Sequence, residues 1–120
     1  MNDFRKLDVW CKSIDLVEAV YKTTPDFPEK EKFNLISQIN RAAISIPSNI
    51  AEGCGRQTDT SFHYFLSIAL GSAYELETQF ILSKRLGYLS EESFQKIQNN
   101  LVEIQKMIAG LMRNLSAKPS

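Results

Sequence analysis

Between Phe94 and Leu115 the apolar side chains Phe94, Ile97, Leu101, Ile104, Ile108, Leu111 and Leu115 recur at alternating steps of three and four residues without a break. That period places them on one stripe of an α-helix, and so long a stripe has to be buried against other helices. A chain carrying it is committed to helix-on-helix packing. Ser90 stands at the N-cap position, with Glu91 and Glu92 in the first turn, where the positive end of the helix dipole favours carboxylates. After Leu115, Ser-Ala-Lys-Pro-Ser reads as a frayed tail.

Three more segments carry the same period. From about Leu7 to Thr23, Leu7, Trp10, Ile14, Val17 and Tyr21 mark an apolar side, and Asp8–Lys12 and Glu18–Lys22 are spaced as i,i+4 ion pairs. Thr24-Pro-Asp-Phe-Pro28 ends that helix, and Pro28 suits the first turn of the next. The second helix, about 29–53, buries Ile36, Ile39, Ala43, Ile46 and Ile50 and contains Pro47. Proline there frees the Ala43 carbonyl, which the flanking Ser and Asn side chains could satisfy, so a kink near Pro47 is expected rather than a break. Gly53 and Gly55 stop it. The third helix begins at Thr58 or Asp59 and buries Phe62, Leu66, Ala69, Ala73, Leu76 and Phe80. Gly71 costs a helix interior about 1 kcal/mol relative to alanine, so another backbone is expected close to it. Leu86-Gly87 ends the third helix with a glycine cap. No window alternates like a strand. The expected fold is all-α, an antiparallel up-down-up-down four-helix bundle with helices at about 7–23, 29–53, 59–86 and 90–115, one domain across residues 1–120.

Charge narrows the function. Lys plus Arg and Asp plus Glu each total 14, and no basic or acidic block interrupts the chain. Nucleic-acid affinity rests on phosphate neutralisation, so a strong phosphate-binding face on one protomer is not expected, although symmetry could assemble one. The first residues, MNDFRKLDVW, lack a signal-peptide apolar run, and no stretch approaches a membrane span; a soluble, cytoplasmic protein without a membrane partner is expected. Cys11 and Cys54 lie in helical patterns without a CxxC, and both read as buried thiols.

The polar residues of the second helix are the unusual ones. Gln38, Arg41, Ser45, Asn49, Glu52 and Arg56 fall within roughly an 80° arc at about 100° per residue. This ridge of amide, hydroxyl and mixed charge reads as a seam against another helix or a second subunit. Half-buried Arg and Glu on facing helices pair structurally, so Arg41, Glu52, Arg56 and Glu75 are expected in a buried polar network that includes Ser45 and Asn49. His63 has only Asp59 within helical reach, as a surface pair, and there is no Glu-x-x-His. The serines lack a neighbouring base, and Gly53-Cys-Gly55 is too short to cradle phosphate. No catalytic residue, metal site, cofactor or small-molecule substrate is expected. Phe62 and Phe65 fit core packing, whereas Tyr64 and Tyr74 suit a subunit interface.

With LDVWCKS near the amino terminus, SQINRAAISIPSNIAEGCGR (residues 37–56) and FLSIALGSAYELETQ (65–79), the chain resembles the 23S rRNA intervening-sequence proteins, small bacterial four-helix bundles. The resemblance runs from about Phe4 to Leu115. It implies a bundle that assembles into a ring, typically a homopentamer, and no established biochemical activity for most members. A related branch, the accessory protein of diversity-generating retroelements, partners a reverse transcriptase and binds nucleic acid. Carried onto this sequence, the family's motif falls on Gln38, Arg41, Ser45, Pro47, Asn49, Glu52, Gly53, Arg56, Gly71, Ser72 and Glu75. Around His63-Tyr64 and at Leu70, where many relatives have Lys or Arg, this chain is aromatic or apolar. The expectation is a non-enzymatic, ring-forming scaffold. Its partner would be RNA or DNA, through Arg41, Arg56, Lys84 and Arg85, or instead another protein, with the chain as an adaptor.

Overall fold

The structure, a computed structural model, describes residues 3–117. The four long helices are α1 (Asp8–Thr23), α2 (Leu35–Cys54), α3 (Asp59–Arg85) and α4 (Glu91–Ala117). Helix α2 packs against α3, α3 against α4, and α1 against both α2 and α4, which closes a four-cornered bundle. Along α2 and α3, Gly53 faces Phe62 and Phe65 while Ser45 faces Ser72, so the two run antiparallel. Between α3 and α4, Lys84 pairs with Glu91 and Glu77 accepts from Gln98 and Gln105, again antiparallel. The up-down-up-down bundle read from the sequence is the observed fold.

One apolar cluster runs through all four helices, with Leu16, Val20, Ile39, Ile46, Ile50, Leu66, Leu76, Phe80, Leu101, Ile104 and Ile108 at its centre. The expected stripes of α3 and α4 are buried, with Phe94 and Leu111 half-covered at their edges. Helix α1 departs from expectation. Its buried line is Val9, Ser13, Leu16 and Val20, while Ile14 and Tyr21 face outward. The helix carries two adjacent apolar ridges, and the better-packed one turned inward. That rotation also redirects Lys12, whose Nζ lies 2.7 Å from Glu103 on α4 instead of pairing with Asp8. The Glu18–Lys22 pair forms, at 3.5 Å.

Helix α2 does not begin at 29. A single 3-10 turn spans Glu29–Glu31, and Asn34 adopts φ −118°, ψ −100°, outside the helical region, so α2 starts at Leu35. Phe27, buried in this connection, sits edge-on to Phe80 with centroids 6.4 Å apart and beside Tyr88 at 5.5 Å. Tyr88 donates its hydroxyl to Glu31 at 2.7 Å, which ties the connection to the opposite loop. Helix α2 then runs unbroken through the buried Pro47. The Asn49 amide donates to the Ser45 carbonyl at 2.8 Å and to the Ser45 hydroxyl at 2.9 Å, not to the Ala43 carbonyl that Pro47 frees.

The caps follow the sequence closely. Thr58 Oγ1 accepts from the Ser61 amide at 3.1 Å, which settles the start of α3 on Thr58, and Ser90 Oγ accepts from the Ser93 amide at 3.1 Å. Gly87, at φ 80°, closes α3: its amide donates to the Lys84 carbonyl, and that of Tyr88 to the Ser83 carbonyl. This pair of bonds is the Schellman arrangement that a left-handed glycine makes possible. At the other end α4 remains helical through Ala117, beyond the expected boundary at Leu115, and residues 118–120 of the expected tail lie outside the described residues.

Candidate functional site

The polar ridge of α2 lies along its edge with α3, outside the core. Its kernel is a three-residue hydrogen-bonded set. Ser45 Oγ and the buried Ser72 Oγ are 2.8 Å apart, and the Asn49 amide donates to Ser45. Above this kernel opens a polar groove of about 450 Å³, lined by Gln38, Arg41, Ala42, Ser45, Ser72 and Glu75. The hydroxyls satisfy each other at its floor, while Gln38, Arg41 and Glu75 stand exposed on its rims.

The expected buried charge network does not form within the protomer. Arg41, Glu52, Arg56 and Glu75 are all exposed. Glu52 and Arg56 make an i,i+4 pair at 3.4 Å, open to solvent on both sides. Arg41 and Glu75 line one groove without an ion pair within 4 Å among the described residues. Short α2 side chains such as Ala42 and Ser45 let α3 close against the apolar edge, which lifts the longer charged side chains onto the rim.

Glycine separates the two sides of this seam. At Gly53 an added Cβ would lie 2.8 Å from Phe65 Cβ, 2.9 Å from Phe62 Cδ1 and 3.2 Å from the Phe62 carbonyl oxygen. Gly53 therefore lets α2 and α3 meet and is not the end of α2, which continues to Cys54. At Gly71 an added Cβ would meet nothing within 4 Å. The close backbone expected there is absent among the described residues.

The outward face of α3 that carries Gly71 mixes large apolar and aromatic side chains with the exposed polar Ser67, Glu75 and Thr78. Tyr64 is 60% exposed, Tyr74 52%, Leu82 47% and Ile81 39%, and Ile44 stands exposed on α2. Tyr64 also sits edge-on to Phe65, with centroids 5.2 Å apart. The sequence pointed to Tyr64 and Tyr74 but missed Ile44, Ile81 and Leu82. The available signal was a second apolar stripe on α3, which the stronger core stripe obscured.

The four candidate cations do not converge. The Arg56 guanidinium lies over the Phe65 ring, 4.7 Å from its centroid, next to Glu52. Lys84 pairs with Glu91 and lies over Phe94, at 4.8 Å. Arg56, in the turn that precedes α3, and Lys84, in the last turn of α3, lie at opposite ends of a helix about 40 Å long at about 1.5 Å per residue. Arg41 and Arg85 are exposed, and neither has an acidic group within 4 Å among the described residues.

The remaining candidates are placed as follows. His63 is half-buried between α3 and α4, and no ion pair joins it to Asp59. Cys54 is buried and Cys11 exposed, both as free thiols, and Cys11 Sγ donates to the Arg5 carbonyl at 3.4 Å. The face that α1 turns inward leaves Cys11 exposed, so of the two thiols expected to be buried only Cys54, at the end of α2, is. No group of three or more His, Cys, Asp and Glu side chains suited to a metal occurs among the described residues. No helix among them is long and apolar enough to cross a membrane.

Residues 5–110 match the family described as 23S rRNA-intervening sequence protein. The chain belongs to that family. Its bundle is similar to the crystal structure of a protein of unknown function, from the S23 ribosomal protein family, of Bacteroides thetaiotaomicron. The two share 29% identity over 88% of this chain and 95% of that one, with a TM-score of 0.81. No curated protein matches the chain. The matched residues include the whole α2–α3 seam, so the seam belongs to the family-bearing part of the molecule.

Proposed function

We propose that this family member is a non-enzymatic scaffold that assembles into a ring through the α2–α3 seam and the outer face of α3, and that it serves as an adaptor for another protein. The observation that carries this reading is Gly71. A helix-interior glycine costs about 1 kcal/mol relative to alanine, and nothing among the described residues occupies the space a methyl group would take. Along the same outward side of α3, exposed Tyr64, Tyr74, Ile81 and Leu82 supply aromatic and apolar area of the kind that is covered in assemblies.

The rims of the seam carry opposite charges, Arg41 on α2 and Glu75 on α3. A neighbour offering a different surface can satisfy both, and such head-to-tail contacts close into rings when the rotation allows. Charge balance and the scattered cations favour a protein cargo over nucleic acid. Of the four candidate cations, Arg41 and Arg85 are the two with no acidic partner within 4 Å among the described residues, one set per protomer, to be multiplied by ring symmetry.

Titration with structured RNA and duplex DNA across a salt series, with light scattering on the same sample, tests both halves. The expected result is an intact ring that binds neither polymer at low salt. Affinity falling log-linearly with salt and lost in Arg41→Ala, with assembly unchanged, would replace the adaptor reading with a nucleic-acid scaffold.

A further inference from the structure

A second face, on the far side of α3 from the seam, has the marks of a docking track. Residues 107–112 of α4 read Met-Ile-Ala-Gly-Leu-Met. Ile108 is in the core, while Met107, Ala109, Gly110, Leu111 and Met112 are half-buried. Shallow grooves flank this stretch. One, of about 600 Å³, lies against α3 and includes His63, Leu70 and Met112; the other, of about 440 Å³, lies against α1 and includes Leu7, Met107 and Leu111.

Gly110 forms the low ridge between them. A Cβ built there would meet only the Arg113 Nη2 atom, at 3.7 Å, an ordinary contact with the tip of a flexible side chain. The chain has room for alanine at 110, the better helix former, and its own packing gives no reason for glycine. Glycine adds no side chain of its own to the ridge, and the flexible Arg113 borders both grooves; with Arg113 turned aside the two join into one broad apolar track. Methionines bordering it can adjust to a visitor's shape.

Charge selects the visitor. Lys106 and Arg113 stand exposed on this stretch, and neither has an acidic group within 4 Å among the described residues. Of the nearby acids, Glu103 is held by Lys12 at 2.7 Å, and Asp8 stands exposed beside the α1 groove. Two uncommitted cations against one uncommitted carboxylate leave the track net positive. We propose that this face docks an acidic amphipathic helix of a partner polypeptide, its apolar ridge crossing Gly110 and its carboxylates meeting Lys106 and Arg113. Helix-in-groove recognition uses this combination of apolar track and flanking charge. The proposal concerns a different surface from the ring contact and stands or falls without it.

The test is fluorescence anisotropy on the full chain with two labelled synthetic helical peptides. Both carry leucines at 3,4 spacing, with Glu on the polar face of one and Lys on that of the other. The Glu peptide should bind at least tenfold more tightly than the Lys peptide. Gly110→Ala should raise the melting temperature yet weaken Glu-peptide binding several-fold, and Arg113→Glu should weaken it about tenfold. Equal binding of the two peptides, no binding of either, or binding indifferent to both substitutions overturns the proposal. Light scattering completes it: a change of oligomer size in Gly110→Ala would assign the track to a second copy of the chain and overturn the partner helix.

Discussion

A methyl group would act in opposite directions at Gly53 and Gly71. At Gly53 it would drive a Cβ to 2.8 Å from Phe65 Cβ and 3.2 Å from the backbone oxygen of Phe62, and α3 would have to move away. Gly53→Ala should therefore cost about 1–3 kcal/mol in urea unfolding, the usual size of an overpacking penalty. The sequence pointed to Gly53 as a helix stop and to Gly71 as the close approach, whereas the close approach within the bundle is at Gly53. Only the positions of neighbouring backbones tell them apart. Local chemistry was easier to read: Thr58, Ser90 and Gly87 act through hydrogen bonds within a few residues, and each caps its helix as its position predicts. Ionisable groups give a second prediction. Burial raises the Cys54 thiol above its ordinary 9.0, and the hydrogen bond to Glu31 followed by burial raises the Tyr88 phenol above 10.0. Lys12 is raised above 10.5, chiefly by its hydrogen bond to Glu103. In each case the folded state holds its proton more tightly than the unfolded one. The associated stability is complete below the ordinary values and declines as pH rises through them. Melting temperature should hold level up to about pH 8.5 and fall above pH 9, with a shallower fall in Tyr88→Phe.

Elements were legible wherever one apolar stripe dominated. Helix α4 carries a single strong core stripe and α3 one that outweighs its outer apolar positions, and both are buried as the spacing requires. Helix α1 carries two ridges within one residue of each other, and periodicity alone could not rank them. The connection before α2 was misread for a different reason. Its acidic first turn and Pro28 are good helix-start chemistry, but burial of Phe27 against Phe80 and Tyr88 fixes where the chain turns, and α2 starts later. Phe27 is thus a tertiary anchor for both ends of the connection. Phe27→Ala should destabilise the bundle by about 3–5 kcal/mol, as deletion of a buried aromatic ring does, measured by the urea midpoint. Thr58→Ala, losing one cap bond at an exposed helix start, should cost only about 1 kcal/mol.

The whole bundle followed from period and short connections because helix packing needs only an apolar face on each element. The seam was legible as residues and not as a place: Gln38, Arg41, Ser45, Ser72 and Glu75 line one groove between α2 and α3, with the serines at its floor and the longer side chains on its rim, Asn49 joins through Ser45, and Glu52 lies outside it with Arg56. A sequence shows which residues share a helix face. It does not show how far two helices approach, and that approach decides whether an arginine between them is covered. Exposure of opposite charges around a floor of small side chains, beside the exposed aromatic and apolar side chains of α3, is the ground on which we propose the polar ridge as an assembly surface. Light scattering on the wild-type chain and on Gly71→Leu tests that claim most directly. The account predicts a ring mass several times the 13.7 kDa protomer for the wild type, and a 13.7 kDa species with unchanged helicity for the variant. A wild-type chain that stays at 13.7 kDa, or a Gly71→Leu chain that keeps the full ring, would contradict it.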